Sequence, residues 1–371
     1  MNFKELLNKI DRAKASNLPF VIYRKPEAKL VHAIVQKNNR LEYSDDFKGS
    51  GFIMAPFDGR KKAVLFSEEN IERLNCMLDG DQDIFAVDRK NKSYDDKLEN
   101  SRKKHLELVK KGIQRIKTGD FIKTVLSRSE TVRLQHIDVI EIFKRLMSNY
   151  PLAFVYVWYH PQIGLWAGAS PETLLKTKGS TFETMSLAGT QKYKDTIDVS
   201  WGEKERKEQK IVTEHILKSL DGLDLHVSET YTRKAGNLLH LCNDIKGFLG
   251  QENNLNELIK KLHPTAAVCG LPREEVQEFI LKEEGYDRSF YTGFLGELNF
   301  HEDDFASSGE NISNSTRSNL FVNLRCMELR ENQQPSAVIY VGGGVTQDSD
   351  PLSEWQETVQ KSLIMKTVIG S

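Results

Sequence analysis

The chain has 371 residues, which is enough for one large domain or two of ordinary size, with a core that needs no disulfide or structural metal. Its 52 lysines and arginines nearly balance its 53 aspartates and glutamates, for a net charge of -1. No basic block is interleaved with aromatic residues, so we expect no nucleic-acid partner. No apolar run approaches the ~18 residues of a membrane span, so we expect no membrane partner.

The N-terminus and the cysteines favour a cytoplasmic protein. The opening MNFKELLNKIDRAK has apolar residues at helical spacing with acids among them, unlike the apolar core of a signal peptide. The four cysteines are scattered without CxxC spacing, which is typical of reduced thiols rather than of a disulfide framework or zinc site. We assign them no catalytic role.

The first eighty residues predict antiparallel sheet after an N-terminal helix. Short apolar runs alternate with turn-rich segments: FVIYRK, LVHAIVQK, GFIMAP and AVLFS. The polar stretch from Asp88 to Ser101 then leads into a helix that ends near Gly119. Its apolar residues recur at three- and four-residue spacing: Leu106, Val109, Ile113 and Ile116.

From Phe121 onward, strands return in runs with helices between the runs. TLLKTK and TFETMSLA flank Gly179-Ser180 and predict a hairpin, and SSGENISNSTRS is expected to be an exposed hairpin loop. Helices are predicted at roughly 202–220, after Pro272 and at the C-terminus. Because strands and helices do not alternate strictly, the α+β class fits better than a doubly wound parallel fold.

The segment YVGGGVTQDSDPLSEWQETVQK, residues 340–361, joins three glycines to a helix. Backbone N–H groups can close on an anion where no side chain intervenes, so Gly342, Gly343 and Gly344 form a candidate anion cradle. The segment lacks GxGxxG spacing and a P-loop lysine, and glycines that merely permit a tight bend are the alternative.

The terminal helix carries an apolar stripe and a charged pair. Glu357 and Lys361 lie one turn apart, as expected of a surface ion pair or of two functional groups on one helix face. The predicted apolar stripe consists of Leu352, Trp355, Val359 and Leu363.

Two charged residues occupy positions that predict burial. Glu208 precedes Ile211 and Val212 by three and four residues, so it lies in line with a core-facing stripe. Together with a second carboxylate it would suit Mg²⁺, although a pair with Lys204 is the alternative. Lys123 lies in a strand-like run, where it would serve as a general base if buried, or reach solvent from an edge strand.

Three further residues are candidates from their positions alone. Glu172 directly follows an apolar strand, where it is either a catalytic acid positioned at the strand end or a turn carboxylate with no catalytic role. Arg325 lies inside the apolar run LFVNLRCMEL, as either an anion receptor or half of a structural ion pair. His263 opens another apolar stretch, where a lone histidine is more often structural than a ligand.

These segments together resemble the chorismate-utilising enzymes: anthranilate synthase component I, aminodeoxychorismate synthase component I, isochorismate synthase and salicylate synthase. The resemblance runs from about Lys123 to Lys361 through KTVLSR, GASPETLL, SLAGT, KERKEQ, HPTAAVCGLPRE, GFLGELN, LRCMEL and GGGVTQDSDPLSEWQET. It implies large antiparallel sheets sandwiched by helices in one integrated domain. Residues 101–371 would form the chorismate-binding core and residues 1–100 a variable N-terminal part.

Three features of the resemblance point to isochorismate synthase. Lys123 matches the lysine that activates water, where anthranilate synthases usually carry glutamine. Ala188 stands where aminodeoxychorismate synthases usually carry a nucleophilic lysine. The segment HPTAAVCGLPRE is similar to the isochorismate synthase form. The implied nucleophile is water rather than ammonia, so no glutaminase subunit is expected.

The resemblance also implies roles for single residues. Lys123 would be the general base, Glu172 the general acid, and Glu208 and Glu357 the Mg²⁺ ligands. Many relatives have Glu-His where this chain has Glu208-Gln209, so the role of that histidine is not carried over. The substrate would be held by Gly189, His263, Arg325, Gly342, Gly343, Gly344 and Lys361.

The implied reaction is the Mg²⁺-dependent conversion of chorismate to isochorismate, for menaquinone or siderophore biosynthesis. Salicylate synthase, which shares the base, acid and metal, is the first alternative. A catalytically silent chorismate-binding subunit is the second. We expect the protein to be a monomer.

Overall fold

Two antiparallel sheets, stacked face to face, form the centre of the protein. The structure, a computed structural model, describes residues 1–78, 98–236, 238–249, 254–301 and 315–370. Each sheet combines strands from distant parts of this sequence. The α+β class with large antiparallel sheets is therefore confirmed.

The first sheet, sheet A, has nine strands. In spatial order they are β15 (Gly270–Leu271), β7 (Lys123–Arg133), β19 (Ser336–Val345), β18 (Cys326–Arg330), β9 (Gly164–Ser170), β8 (Phe154–His160), β1 (Phe20–Arg24), β2 (Leu30–Gln36) and β6 (Ile71–Met77).

The second sheet, sheet B, has ten strands. In spatial order they are β12 (Leu225–Val227), β14 (Leu238–Phe248), β11 (Thr181–Lys192), β10 (Thr173–Lys178), β17 (Thr316–Val322), β16 (Phe294–His301), β4 (Gly51–Ala55), β5 (Ala63–Ser67) and β3 (Tyr43–Ser44), and β13 (Tyr231–Ala235) also pairs with β14. The predicted hairpin at Gly179-Ser180 joins β10 to β11.

Helices cover the outer faces of the two sheets. Within the described residues they are α1 (Phe3–Ala15), α2 (Leu98–Lys117), α3 (Val139–Asn149), α4 (Glu203–Ser219), α5 (Leu255–Leu262), α6 (Arg273–Glu283) and α7 (Pro351–Val368). Helices α1, α3 and α7 pack on sheet A, whereas α4 and α5 pack on sheet B. Because strand side chains alternate between faces, each sheet buries one face under helices and the other against its partner sheet.

Aromatic side chains fill the space between the sheets. Trp158 from sheet A stacks on Phe66 from sheet B with ring centroids 5.3 Å apart. Phe154 and Phe321 make a second stacked pair across the interface, at 4.2 Å. Such pairs each contribute about 0.5–1.5 kcal/mol beyond their buried area. This packing holds the two sheets in a fixed relation to each other.

The N-terminal strands are part of both sheets. Strand β1 pairs with β8 in sheet A, and β4 pairs with β16 in sheet B. The division of the chain at about residue 100 remains a prediction. Most of the polar connection at 88–101, and most of the loop SSGENISNSTRS, lie outside the described residues. The strands on either side of that loop, β16 and β17, do pair antiparallel. In the described part of the chain, no helix is long and apolar enough to cross a membrane.

The predicted apolar stripe of α7 is wrong in part. Leu352 and Leu363 are exposed, at 42% and 41% of their surface, whereas Trp355 is buried as expected. The face that packs inward instead carries small or polar residues, including Thr358 and Ser362. This face lies against β19, and its apolar members Ile364 and Met365 belong to the same buried cluster as Ile339 and Val341 of that strand.

Candidate active site

A cleft lies where the chain crosses from one sheet to the other at two neighbouring places. Residues 171–172 connect β9 to β10, and residues 323–325 connect β17 to β18. A hydrogen bond of 3.0 Å from the Ala169 N–H to the Arg325 carbonyl oxygen ties the two crossings together. The sequence predicted a continuous strand through Arg325. Instead the backbone turns there, with φ of +48°, a left-handed conformation that a non-glycine residue adopts at a cost of about 1 kcal/mol.

Glu172 occupies the first crossing and is almost fully buried. Burial raises its pKa to about 8, although the positive charges of Lys123, Arg325 and Arg233 act in the opposite direction. The carboxyl group therefore holds its proton at neutral pH. A protonated acid that lines a cleft is able to donate that proton to a bound molecule.

Lys123 begins β7, which lies between β15 and β19, and its side chain is fully buried. The Nζ atom lies 2.9 Å from Oε1 of Glu208 on α4, an ion pair whose angles fall short of a well-aligned hydrogen bond. The alternative pairing of Glu208 with Lys204 does not form, because Lys204 instead contacts Glu354 at 2.7 Å. Lys123 is thus a buried amine, as predicted, rather than an exposed edge-strand lysine.

Three carboxylates converge on the glycine strand β19. An added Cβ at Gly344 would overlap the Glu208 carboxylate, and one at Gly343 would lie 3.3 Å from Oε1 of Glu357 and 3.5 Å from Oε2 of Glu354. Gly344 therefore permits a close approach of Glu208 that a residue with a Cβ would block, whereas a Cβ at Gly343 would make only a tight contact. Sequence reasoning missed Glu354, although it stands three residues before Glu357 on the same helix face.

This carboxylate group fits a hard cation. Glu354 is buried, and its Oε2 atom has no hydrogen-bond partner. Burial, together with the charge of Glu357, raises the pKa of Glu354. Burial opposes ionisation of Glu208, but Lys123 and nearby lysines hold its pKa below the ordinary value. Mg²⁺ suits such a site because it binds one or two carboxylates and completes its shell with water and ligand oxygens. Among the described residues, no three aspartate, glutamate, histidine or cysteine side chains are placed to hold a metal ion by themselves, so a cation here would depend on water and ligand oxygens.

A histidine that sequence reasoning also missed orients Arg325. His240 on β14 accepts a hydrogen bond of 3.0 Å at Nε2 from Nη2 of Arg325, and its Nδ1 lies 2.9 Å from the Gly189 carbonyl oxygen. Burial and the adjacent Arg325 charge lower the pKa of His240 well below its ordinary value. The ring is therefore neutral with its proton on Nδ1, since Nε2 faces a permanent donor. Only the strand position of His240 in LLHLC could have signalled it.

Gly189 and Lys361 line two other parts of the cleft. Gly189 has φ of +71°, and an added Cβ would lie 3.1 Å from Cβ of Glu205. Lys361 contacts Oε1 of Glu357 at 2.6 Å and donates a hydrogen bond of 3.0 Å to the Gly342 carbonyl oxygen. The pair is thus part of the cleft and not a surface ion pair. Arg325, Lys361 and the backbone of β19 are the groups in the cleft that could bind an anionic ligand.

The structure does not bring His263 into the cleft. Its ring packs edge-on against Phe294, with centroids 5.0 Å apart, and its Nε2 lies 3.2 Å from the Pro56 carbonyl oxygen. Burial lowers its pKa to about 4, so the ring is neutral. His263 belongs to the packing of sheet B, which corrects the expectation that it lies near the substrate. The structural alternative holds.

Gln209 fixes α4 to sheet B, and with it the neighbouring Glu208. Its Nε2 atom donates to Oγ of Ser186 at 2.9 Å and to Oδ1 of Asn243 at 3.0 Å. All three side chains are buried. Buried amides with several partners resist rotation, so Gln209 has a structural role next to Glu208, at the position where many relatives have histidine.

The buried ion pair of Arg288 and Glu284 lies along the edge of β7, beyond the point where its short partner β15 ends. Nη2 of Arg288 donates to the Val125 carbonyl oxygen at 2.8 Å, and Oε1 of Glu284 accepts from the Ser127 N–H at 2.7 Å. Arg288 also donates to the Val268 carbonyl oxygen at 2.9 Å. These side chains take the place of an edge strand, which holds the backbone that carries Lys123.

The fold is an α+β sandwich with a cleft at the crossings between two antiparallel sheets, and the cleft is lined by both acidic and basic side chains. The profile of the chorismate binding enzyme family matches residues 60–370, and the chain belongs to this family.

Named relatives include isochorismate synthases and, at 25% and 28% identity, the anthranilate synthase component 1 of Aeropyrum pernix and of Streptomyces coelicolor. EntC of Escherichia coli K12 is 30% identical over 260 residues, which cover 67% of this chain and 62% of EntC, less than two-thirds of that relative. Two solved structures share the fold. The Bacillus anthracis protein DhbC, described as a 2,3-dihydroxybenzoate-specific isochorismate synthase, has a TM-score of 0.73 at 23% identity, with 95% of this chain and 97% of DhbC covered. MenF, the menaquinone-specific enzyme of Escherichia coli, has a TM-score of 0.71 at 18% identity, with 95% and 88% covered.

Proposed function

We propose that the protein is an Mg²⁺-dependent isochorismate synthase, which adds water to C2 of chorismate and releases the C4 hydroxyl group. The observation that carries the proposal is that a protonated acid, Glu172, and a buried amine, Lys123, lie near the same cleft. Further support comes from relatives that bear this name at 30% identity.

In this mechanism Lys123 acts in its neutral amine form and removes a proton from the attacking water as the new C–O bond forms at C2. Electrons move through the ring double bonds towards C4, and the C4–O bond breaks. Glu172 donates its proton to the departing oxygen, which leaves as water. One proton is taken and one is given, so the reaction balances without a redox partner. Positioned acid and base groups of this kind contribute about 10²–10⁴-fold each.

Substrate binding relies on opposite charge. Chorismate carries two carboxylates, and the cleft offers Arg325, held in place by His240, together with Lys361 and the β19 backbone. The chemistry that Mg²⁺ would supply at Glu208 and Glu357 is positive charge for a substrate carboxylate. Glu354 would assist through its free oxygen.

The absence of an amine at position 188 favours water as the nucleophile. Ala188 lines the cleft, and its methyl group is unable to attack the substrate. No ammonia donor is needed for this reaction, so the proposal includes no glutaminase partner. The pathway is menaquinone or a dihydroxybenzoate product, the two specificities that MenF and DhbC carry in their descriptions. A cytoplasmic monomer remains part of the proposal.

The test uses purified protein, chorismate and Mg²⁺ without ammonia, with products separated by chromatography. Isochorismate as sole product supports the proposal. Salicylate with pyruvate identifies a salicylate synthase instead, and a requirement for ammonia rules out both. If chorismate binds without turnover, and Lys123→Ala or Glu172→Gln leaves that binding unchanged, the chain is a silent binding subunit.

A further inference from the structure

A second cavity, of about 300 Å³, adjoins the cleft. Arg325 and Pro171 line both spaces, so the two cavities meet at the sheet crossings. Its other walls come from residues 148–153, which span the end of α3 and the connection to β8, from the end of β13 and from α7. The volume is at the lower end of the range for small-molecule sites.

The cavity is positively charged. Arg325 lies at its inner end, and its charge reaches the cavity wall, where it favours ionisation of Tyr150 against the effect of burial. Lys234 also lines the cavity, with Nζ 3.6 Å from the centroid of the Tyr193 ring. No carboxylate is found among the described residues that line this space. Its charge suits an anion, as does that of the cleft.

Specific contacts hold the walls of this cavity in place. The Tyr150 hydroxyl donates a hydrogen bond of 2.9 Å to the Ile364 carbonyl oxygen on α7. Gly236 adopts φ of +63°, and an added Cβ would lie 2.9 Å from the Tyr150 ring, so the turn after β13 closes directly on that ring. Three elements are thereby joined around the opening, which indicates a built space rather than a packing gap.

We propose that this cavity is the passage through which the dianionic substrate reaches the cleft, with Lys234 as its outer cation and Arg325 as its inner one. The identity of the substrate as chorismate rests on the proposed function. An anion on this route meets Lys234 first and then passes to Arg325, without crossing a carboxylate. Pairing with two successive cations along a narrow route raises the local anion concentration and the association rate.

The passage can be obstructed selectively by a bulky label on a single introduced cysteine. All four native cysteines are buried, so a cysteine introduced at Leu152, which lines the cavity and is 39% exposed, provides a selectively accessible thiol. Leu152→Cys is labelled with a bulky maleimide. Phe248→Cys, on β14 away from both cavities and 59% exposed, is the matched control. The readout is the second-order rate constant for chorismate binding in stopped-flow tryptophan fluorescence, which requires no turnover.

Labelled Leu152→Cys is expected to bind chorismate about tenfold more slowly or worse than the unlabelled variant, while the label at Phe248→Cys has no effect. Lys234→Met is expected to lower the association rate about tenfold at low salt and to lose this difference at high salt, with kcat unchanged. Lys246→Met, at an exposed ion pair with Glu183, is its control.

Equal association rates with and without the label at Leu152→Cys would overturn the passage. So would a Lys234→Met protein with the rate and salt dependence of the wild type. If the label blocks binding but the protein forms no isochorismate, the passage stands and the proposed reaction fails. If unlabelled protein does not bind chorismate at all, both fail.

Discussion

Replacing Glu172 with glutamine should abolish activity and yet stabilise the protein. Glutamine has the shape of the protonated carboxyl group but never ionises. In the wild-type protein, burial raises the Glu172 pKa from 4.5 to about 8. The folded state therefore keeps a proton that the unfolded chain releases near pH 4.5.

The magnitude follows from the size of the pKa shift. A group whose folded-state pKa is raised contributes stability that is fully present below the unfolded pKa and is lost as the pH rises through the folded one. Each pKa unit is worth roughly 1.4 kcal/mol, so, compared with acid pH, Glu172 removes about 3 kcal/mol from the free energy of unfolding at pH 7 and about 4 kcal/mol at pH 8, where the folded-state carboxyl is itself half ionised. Glu172→Gln removes this pH dependence, because glutamine has no proton to lose.

Urea unfolding followed by tryptophan fluorescence at several pH values between 5 and 8 measures this difference. The control is Glu297→Gln, because Glu297 is also buried but pairs with Lys25 at 2.7 Å and has a lowered pKa. Its stabilising effect is present above the unfolded pKa, so this variant should lose stability at pH 7. Parallel curves of unfolding free energy against pH for wild type and Glu172→Gln would refute the reasoning.

Three further variants test the carboxylate group and its support. Gly344→Ala should displace the Glu208 carboxylate and reduce kcat at least tenfold, with little change in the urea midpoint; unchanged kcat would contradict the close approach. Glu357→Gln should raise the Mg²⁺ concentration needed for half-maximal activity at least tenfold, measured by titration after chelator treatment, and full activity at wild-type Mg²⁺ levels would remove Glu357 from the site. Gln209→Ala should lower the free energy of unfolding by about 1–3 kcal/mol in urea denaturation, because Asn243 and its neighbours lose a buried partner; an unchanged midpoint would contradict that network.

Much of the fold could be predicted from the sequence because strand signals are local. Alternating apolar runs and the turn at Gly179-Ser180 identify strands and one hairpin without reference to the rest of the chain. The pairing of β1 with β8 could not be predicted in this way, because more than a hundred residues separate them. The break at Arg325 also escaped detection, because the apolar pattern continues through a point where the chain changes sheets.

The candidate site could be predicted only where residue type and context conflicted. A lysine in a strand and a glutamate in an apolar helix stripe stand out, and Lys123 and Glu208 do meet at 2.9 Å. Glu354 and His240 produced no such conflict, because an acid in a polar helix and a histidine in a mixed strand are ordinary. His263 was predicted to bind substrate because its segment resembles that of the family, but its ring packs against Phe294.

The central claim is that water attacks the substrate while Lys123 and Glu172 exchange protons with it. Turnover of chorismate in water enriched in oxygen-18, with the product examined by mass spectrometry, tests it most directly. The account predicts isochorismate that carries the heavy oxygen at C2. Isochorismate free of the label would mean that the C4 hydroxyl migrates within the substrate, and the proposed roles of Lys123 and Glu172 would then be wrong.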